Sequence, residues 1–400
     1  VSQKTFTAPA HRVAIVTIIV AANMLGLAAT DLYLPTIPAL PNLFETNIQR
    51  IQFTLASFSA GFAISQILIG AMGDLYNRRW ILIGSLLIFV PASMWCAMAT
   101  TVEGLIAARF VQGLSASASA ALTVPMLLPL FSERQSVRAI SVIGSIDALI
   151  PAIAPLLGAW IFTQFGVGAV FWVVVLVGLP ILAAALVYIP TDRPDTHHTQ
   201  LWPVIAGYRT LFTHSRFMGY ALSHGFALSG LFVVGFSTPY LIVDHLGGQT
   251  IHFVYCQVVW VGLYLLAANC TGMLTKWLSP DHLIHVCTWA QVVSALAFVT
   301  YALLAPSLSW QGLLLSLIPY CIGMGLRGGA GFAQAVQAVS GFETRASALM
   351  IFFSMGLTSL SVALSALYLD QGLITVVLAQ LTLILASWGM LRFIRHAPTT

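Results

Sequence analysis

From Val13 to Phe393 the chain is a succession of twelve apolar runs separated by short polar, Gly or Pro clusters. They fall at 13–38, 51–73, 79–99, 104–130, 139–165, 169–190, 217–242, 252–275, 282–304, 309–333, 346–369 and 373–393. A helix rises about 1.5 Å per residue, so about 20 apolar residues cross a hydrocarbon core of about 30 Å. Only 7% of the 400 residues are charged, against about 25% in soluble domains, too few to solvate a globule. In lipid the backbone must satisfy its own hydrogen bonds, and runs of this length do so as helices. The expected fold class is an all-α polytopic membrane protein. The first run is too long for a secretory h-region and no small-residue cleavage site follows it, so it is expected to be a retained span.

The longest interruption, Thr191 to Arg216, divides the spans six and six. The expected organisation is a six-helix bundle over 1–190, an inter-domain loop over 191–216 and a second bundle over 217–400. Within the loop, Leu201 to Phe212 is amphipathic enough to lie along the interface as a helix. Thirteen of the basic residues fall in loops on the side of the N-terminus and one, Arg50, on the other. By the positive-inside bias both termini are expected in the cytoplasm. Two equal halves of six spans are the layout of carriers with a central cavity between bundles.

The net charge of +4 is small and dispersed, so no nucleic-acid partner is expected. The five cysteines all lie in apolar runs without metal or disulfide spacing and read as small buried hydrophobes. There is no HExxH, no paired Ser/His/Asp and no His/Asp metal spacing. No enzyme activity, cofactor or metal is expected.

The loop after the second span reads GAMGDLYNRR, Gly70 to Arg79. Gly70 allows close helix approach, Asp74 sits at a helix end, and Asn77 tolerates a left-handed turn. With Arg78 and Arg79 this resembles the signature loop of the major facilitator superfamily, G-x-L-A-D-R-x-G-R-R/K, although Leu75 and Asn77 replace its usual basic residue and glycine. Three further stretches support the resemblance. Arg109-Phe-Val-Gln112-Gly113 is similar to the family's R-x-x-Q-G. Ala154-Pro155-Leu-Leu-Gly158 is similar to the antiporter motif of drug exporters. Asp31-Leu-Tyr33-Leu-Pro35-Thr-Ile-Pro38 resembles the Bcr/CflA group of drug:proton antiporters.

Ionisable residues inside a span cost roughly 3 kcal/mol on insertion scales and are functional candidates by default. Here they are Asp31, Arg109, Asp147, Arg327 and His224. Counted along their helices, Asp31 and Arg109 lie at similar depth in the outer half. Asp147, His224 and Arg327 lie level in the inner half. The resemblance implies that Asp31 binds the coupling proton, with Arg109 in support and Asp147 a further candidate. For Asp147 three readings stay open: a gate with Arg327 across the seam, a substrate contact, or structural pairing. Candidate substrate contacts are Tyr33, Gln112, Asp147, His224, Tyr240 and Arg327. The conformational-switch residues are Gly70, Asp74, Arg78 and Arg79. Pro151 and Pro155 each remove a helix hydrogen bond. With Gly158 they form a small-residue seam that, by resemblance, seals the cavity against proton leak.

The resemblance thus implies the major facilitator fold, twelve helices in two six-helix bundles around a cavity. It implies a proton-coupled antiporter exporting small amphiphilic compounds across a bacterial inner membrane, with protons, a small-molecule substrate and the bilayer as partners, acting as a monomer. The alternative keeps the fold and carries an anionic or zwitterionic metabolite or siderophore, using Arg327.

Overall fold

The computed structural model describes residues 9–131, 133–190 and 201–395. The first half contains α1 (Pro9–Asp31), the short α2 (Leu40–Leu43), α3 (Ile48–Leu75), α4 (Arg78–Met98), α5 (Val102–Leu127), α6 (Glu133–Phe165) and α7 (Val167–Tyr188). A linking helix, α8 (Leu201–Thr213), leads to α9 (Ser215–Tyr240), α10 (Thr250–Leu274), α11 (Pro280–Leu304), α12 (Trp310–Gln337), α13 (Glu343–Ala366) and α14 (Leu373–Arg395). Twelve of these are long and apolar enough to cross a membrane. No strand occurs among the described residues. With an even number of spans, the start of α1 and the end of α14 lie on one face, here called the terminal face. The opposite one is the far face.

Prolines set where the first span stops. Pro35 and Pro38 carry no N–H, so the α-helical ladder cannot continue past Asp31. The chain tightens into a 3₁₀ helix at Leu34–Ala39, and the N–H of Tyr33 turns to the Thr30 carbonyl. This leaves the Ala29 carbonyl without its usual partner, which matters below.

Within the first half, α3 and α4 pack on α5, α4 on α7, and α1 on α5, α6 and α7; in the second half α9 packs on α12, α13 and α14, α12 on α10 and α11, and α11 on α14. Lipid tails are as apolar as Leu, so close backbone approach must hold such helices together. The sequence supplies it with glycines. A Cβ on Gly113 would overlap the Phe58 carbonyl, and one on Gly61 the Phe110 carbonyl, so α3 and α5 cross backbone to backbone. A Cβ on Gly158 would overlap the Leu32 carbonyl. The antiporter-type glycine therefore packs α6 onto the end of α1, inside its own half.

The two halves meet along α3 with α13 and α6 with α10. On the far side they share one core, in which Tyr33, Leu34, Ile37 and Leu55 mix with Val233, Phe236, Leu241 and Phe253. Gln52 donates to the Phe236 carbonyl at 3.1 Å, and Ser359 to the Ala56 carbonyl at 2.7 Å, across this seam. Toward the terminal face the cores separate: one is built on Ile15, Ile18, Leu82 and Leu122, another on Tyr208, Phe217, Ala346 and Leu349. The halves share one core on the far side, while on the terminal side each has its own and the contact between them runs through α3 with α13 and the linking helix.

The linking helix is more than an interfacial strip. Tyr208 and Leu211 are buried, and the Tyr208 hydroxyl reaches the Ile67 carbonyl of α3 at 3.5 Å.

Candidate functional site

A cavity of about 470 Å³ lies between the halves. The first half contributes Thr30 and Asp31 from α1, Phe58, Ser59 and Phe62 from α3, and Gly144, Asp147 and Pro151 from α6. The second contributes Leu228, Phe232 and Phe236 from α9, Gln257, Trp260 and Tyr264 from α10, and Met355 and Thr358 from α13. Among the described residues, Asp31 and Asp147 are the only carboxylates on this wall, which carries no Lys, Arg or His.

Arg109 explains how Asp31 stays available. Its guanidinium is fully buried. One Nη donates to Gln112 Oε1 at 2.7 Å and to the stranded Ala29 carbonyl at 3.3 Å; the other donates to Thr30 Oγ1 at 2.9 Å. The rings of Phe58 and Tyr33 cover it, with centroids 4.3 and 5.0 Å from Cζ, a geometry that favours a cation. Gln112 in turn donates to Ser93 Oγ at 2.9 Å. The charge is thus held by neutral acceptors and aromatic faces. Among the described residues, the Asp31 carboxylate has no hydrogen bond or ion pair, and it faces the cavity.

Asp147 has a partner that sequence reasoning did not name. Asn23 Nδ2 donates to Asp147 Oδ1 at 2.7 Å. Of the three readings open for Asp147, the pair with Arg327 across the seam is not the one formed in this conformation. Arg327 is 1% exposed and donates to Ser223 Oγ at 2.8 Å, Ser387 Oγ at 3.1 Å and Gln291 Oε1 at 3.3 Å, all in its own half. Depth counting put Arg327 level with Asp147, but its azimuth turns it toward α9, α11 and α14, away from the cavity.

The other expected substrate contacts also lie off the wall. Tyr33 is buried, its hydroxyl paired with Thr54 Oγ1 at 2.8 Å and its ring against Phe171. Gln112 is sealed in the Arg109 network. The His224 ring meets Phe332 edge-on, and among the described residues its buried Nδ1 has no hydrogen-bond partner. Tyr240 packs beside His245 at the far end of α9. Sequence reasoning missed the apolar wall itself, Phe58, Phe62, Phe232, Phe236 and Met355. The pairs Phe58/Phe62 and Phe232/Phe236, each one helical turn apart, carried that signal.

At the start of α4 the two arginines answer two prolines. Pro129 cannot donate to the Pro125 carbonyl and Pro190 cannot donate to the Leu186 carbonyl. Arg78 Nη1 reaches Pro125 O at 3.1 Å, and Arg79 Nη2 reaches Leu186 O at 2.7 Å. Cations thus finish the ends of α5 and α7, where the helix dipole also favours them. Asn77 is not left-handed: at φ −64° and ψ 115° it caps α4, accepting from the Arg79 N–H at 3.0 Å. A Cβ on Gly70 would lie 3.2 Å from the Ala348 Cβ, which keeps α3 close to α13. The Asp74 side chain lies outside the described residues.

Residues 17–391 match the Major Facilitator Superfamily. The chain belongs to this superfamily. The superfamily assignment agrees with the helix count and with solved structures of the same fold. The chain is similar to a D-xylose–proton symporter (TM-score 0.72, 13% identity, 94% of this chain and 97% of that one). It is also similar to the human organic anion transporter MFSD10 (TM-score 0.69, 15% identity, 96% and 100%). Among curated sequences it is 26% identical over 288 residues to a bicyclomycin resistance protein homolog of Haemophilus influenzae, covering 70% of this chain and 71% of that one. It is 28% identical over 262 residues to a chloramphenicol resistance protein of Pseudomonas aeruginosa, covering 65% and 62%. This chain is therefore a multi-pass membrane transporter of the superfamily.

Proposed function

We propose that this transporter is a proton-coupled antiporter that exports small amphiphilic compounds, drugs among them, across the bacterial cytoplasmic membrane. The observation that carries the reading is the cavity wall. Among the described residues it combines two carboxylates and no cation with an aromatic and aliphatic lining. An apolar wall with a few convergent polar groups suits an amphiphile. A carboxylate without a fixed partner, such as Asp31, can exchange a proton for a bound ligand.

In this reading the terminal face is cytoplasmic, with both termini inside, and the conformation described here is the one that loads substrate. The two six-helix bundles, joined through 191–216, rock about the cavity. Closure on the cytoplasmic side and parting of the far-side core expose Asp31 and Asp147 to the other compartment, where protonation favours substrate release. Each proton returning inward releases about 2.3 kcal/mol per 100 mV, enough to concentrate an exported compound. Arg109 holds the end of α1 around Asp31 and is not itself the proton carrier. Arg78 and Arg79 tie α5 and α7 to the loop that moves with the switch. The unit is a monomer, since each chain supplies a whole cavity. The names of the curated relatives, two drug-resistance proteins, agree with this substrate class. The anionic alternative needs a cation on the wall, and Arg327 is turned away.

The test is exchange in proteoliposomes. Asp31→Asn should stop drug export driven by a proton gradient. Normal gradient-driven export by that variant would refute the proposal.

A further inference from the structure

The Asn23–Asp147 pair takes no part in the mechanism above beyond supplying a second acid, yet its surroundings are chemically specific. Asn23 spends an amide N–H on Asp147 Oδ1. Among the described residues, its own amide oxygen and Asp147 Oδ2 have no partner. Two unpartnered oxygens, Asn23 Oδ1 and Asp147 Oδ2, flank one hydrogen bond where α1 meets α6. Asp147 lies on the cavity wall with Asn23 buried behind it, and among the described residues that wall carries no Lys, Arg or His.

We infer that Asn23 and Asp147 form a cation subsite selective for protonated amines, which bring N–H donors, over quaternary ammonium groups, which bring charge alone. The inference rests on the cavity being the substrate site. Asn23 precedes Asp31 by eight residues on one helix, so the subsite lies about 12 Å along α1 from Asp31, toward the terminal face. A substrate held here by its ammonium group leaves Asp31 free for the proton. Asn23 is a positioning residue as well as an acceptor. Its N–H fixes the carboxylate rotamer, and its oxygen completes the donor-matching set. The carboxylate and the amide face each other across one hydrogen bond, so exchanging them keeps one negative charge, one amide and the same acceptors.

The experiment is equilibrium binding to the full chain in nanodiscs, at alkaline pH and without any ion gradient. The probes are a naphthylalkyl primary ammonium and its trimethylammonium counterpart, equal in body and charge. The wild type should bind the primary ammonium at least tenfold more tightly, about 1.4 kcal/mol. Asn23→Leu should bring the ratio to about twofold or less while leaving the quaternary affinity in place, a loss of about 1 kcal/mol of discrimination. Asp147→Asn should abolish the preference, and the exchanged pair Asn23→Asp/Asp147→Asn should restore it. That restoration keeps the test valid if a single variant fails to fold. Equal affinities in the wild type, an unchanged ratio in Asn23→Leu, or no binding of either cation would overturn the subsite. No gradient enters the measurement, so this outcome is separate from that of the exchange assay. Proton-coupled export of a neutral amphiphile with no cation binding would leave antiport standing and remove the subsite.

Discussion

Replacing Gln112 by Leu removes the closest acceptor of the Arg109 guanidinium while keeping a helix-forming side chain of similar bulk. The structure gives the size of the loss. The 2.7 Å bond from Arg109 to Gln112 Oε1 is charge-assisted, and the 2.9 Å bond from Gln112 to Ser93 is neutral. The first kind contributes about 1.5–3 kcal/mol and the second about 0.5–1.5 kcal/mol. Gln112→Leu should therefore destabilise the protein by about 2–4 kcal/mol, because Arg109 remains buried with too few acceptors. Adding Arg109→Met should recover most of that loss, since the apolar pair leaves no stranded charge. Export should stay absent in the double variant, because the end of α1 loses its tie at Ala29 and Thr30. The assay is a double-mutant cycle of unfolding free energies from denaturing-detergent titration in mixed micelles, with export measured in parallel. A loss below about 0.5 kcal/mol in Gln112→Leu would refute Gln112 as the principal acceptor. A double variant as unstable as the single one would refute the buried-charge argument.

Three further outcomes follow from the packing. Gly158→Val places a side chain against the Leu32 carbonyl. Such overpacking costs about 1–3 kcal/mol, so the detergent unfolding midpoint should fall, while Gly144→Ala, which meets nothing within 4 Å, should leave it unchanged. Ala56→Cys with Ser359→Cys, in a chain freed of its five cysteines, should crosslink on oxidation across the far-side seam. Export should stop until the bond is reduced; continued export by the oxidised protein would contradict closure at this seam. Phe232→Ala with Phe58→Ala removes one aromatic of the cavity wall from each half and should weaken binding of aromatic substrates at least tenfold, or about 1.4 kcal/mol, read by titration calorimetry.

The spans were legible because an apolar run of membrane length admits few alternatives, although the first run, read to 38, leaves the α-helix at Asp31 ahead of Pro35 and Pro38. Depth was legible too, since a helix rises uniformly, and Asp31 and Arg109 were rightly read as neighbours in height. Azimuth was not. A span apolar on every side carries no stripe to say which face meets lipid, a neighbour or the cavity. Arg327 therefore looked like a cavity cation, although the hydroxyls of Ser223 and Ser387 had already satisfied it from inside its own half. The partner of Asp147 was missed for a related reason. An asparagine in a span reads as one more tolerated polar residue until the register of α1 against α6 is known. Asn77 was misread because its side chain can favour either a left-handed turn or a helix cap, and the sequence does not separate them. The roles of Arg78 and Arg79 were half visible: their charge placed them at a membrane boundary. Their targets were written in Pro129 and Pro190, which free the carbonyls four residues earlier.

The central claim is that the cavity carboxylates exchange a proton for the exported compound. Proton release on substrate binding tests it most directly, measured with a pH indicator on purified protein in weakly buffered detergent solution. The account predicts protons released on adding an amphiphilic drug to the wild type, and release reduced or abolished in Asp31→Asn. Saturable drug binding by the wild type with no proton released at any pH would contradict it.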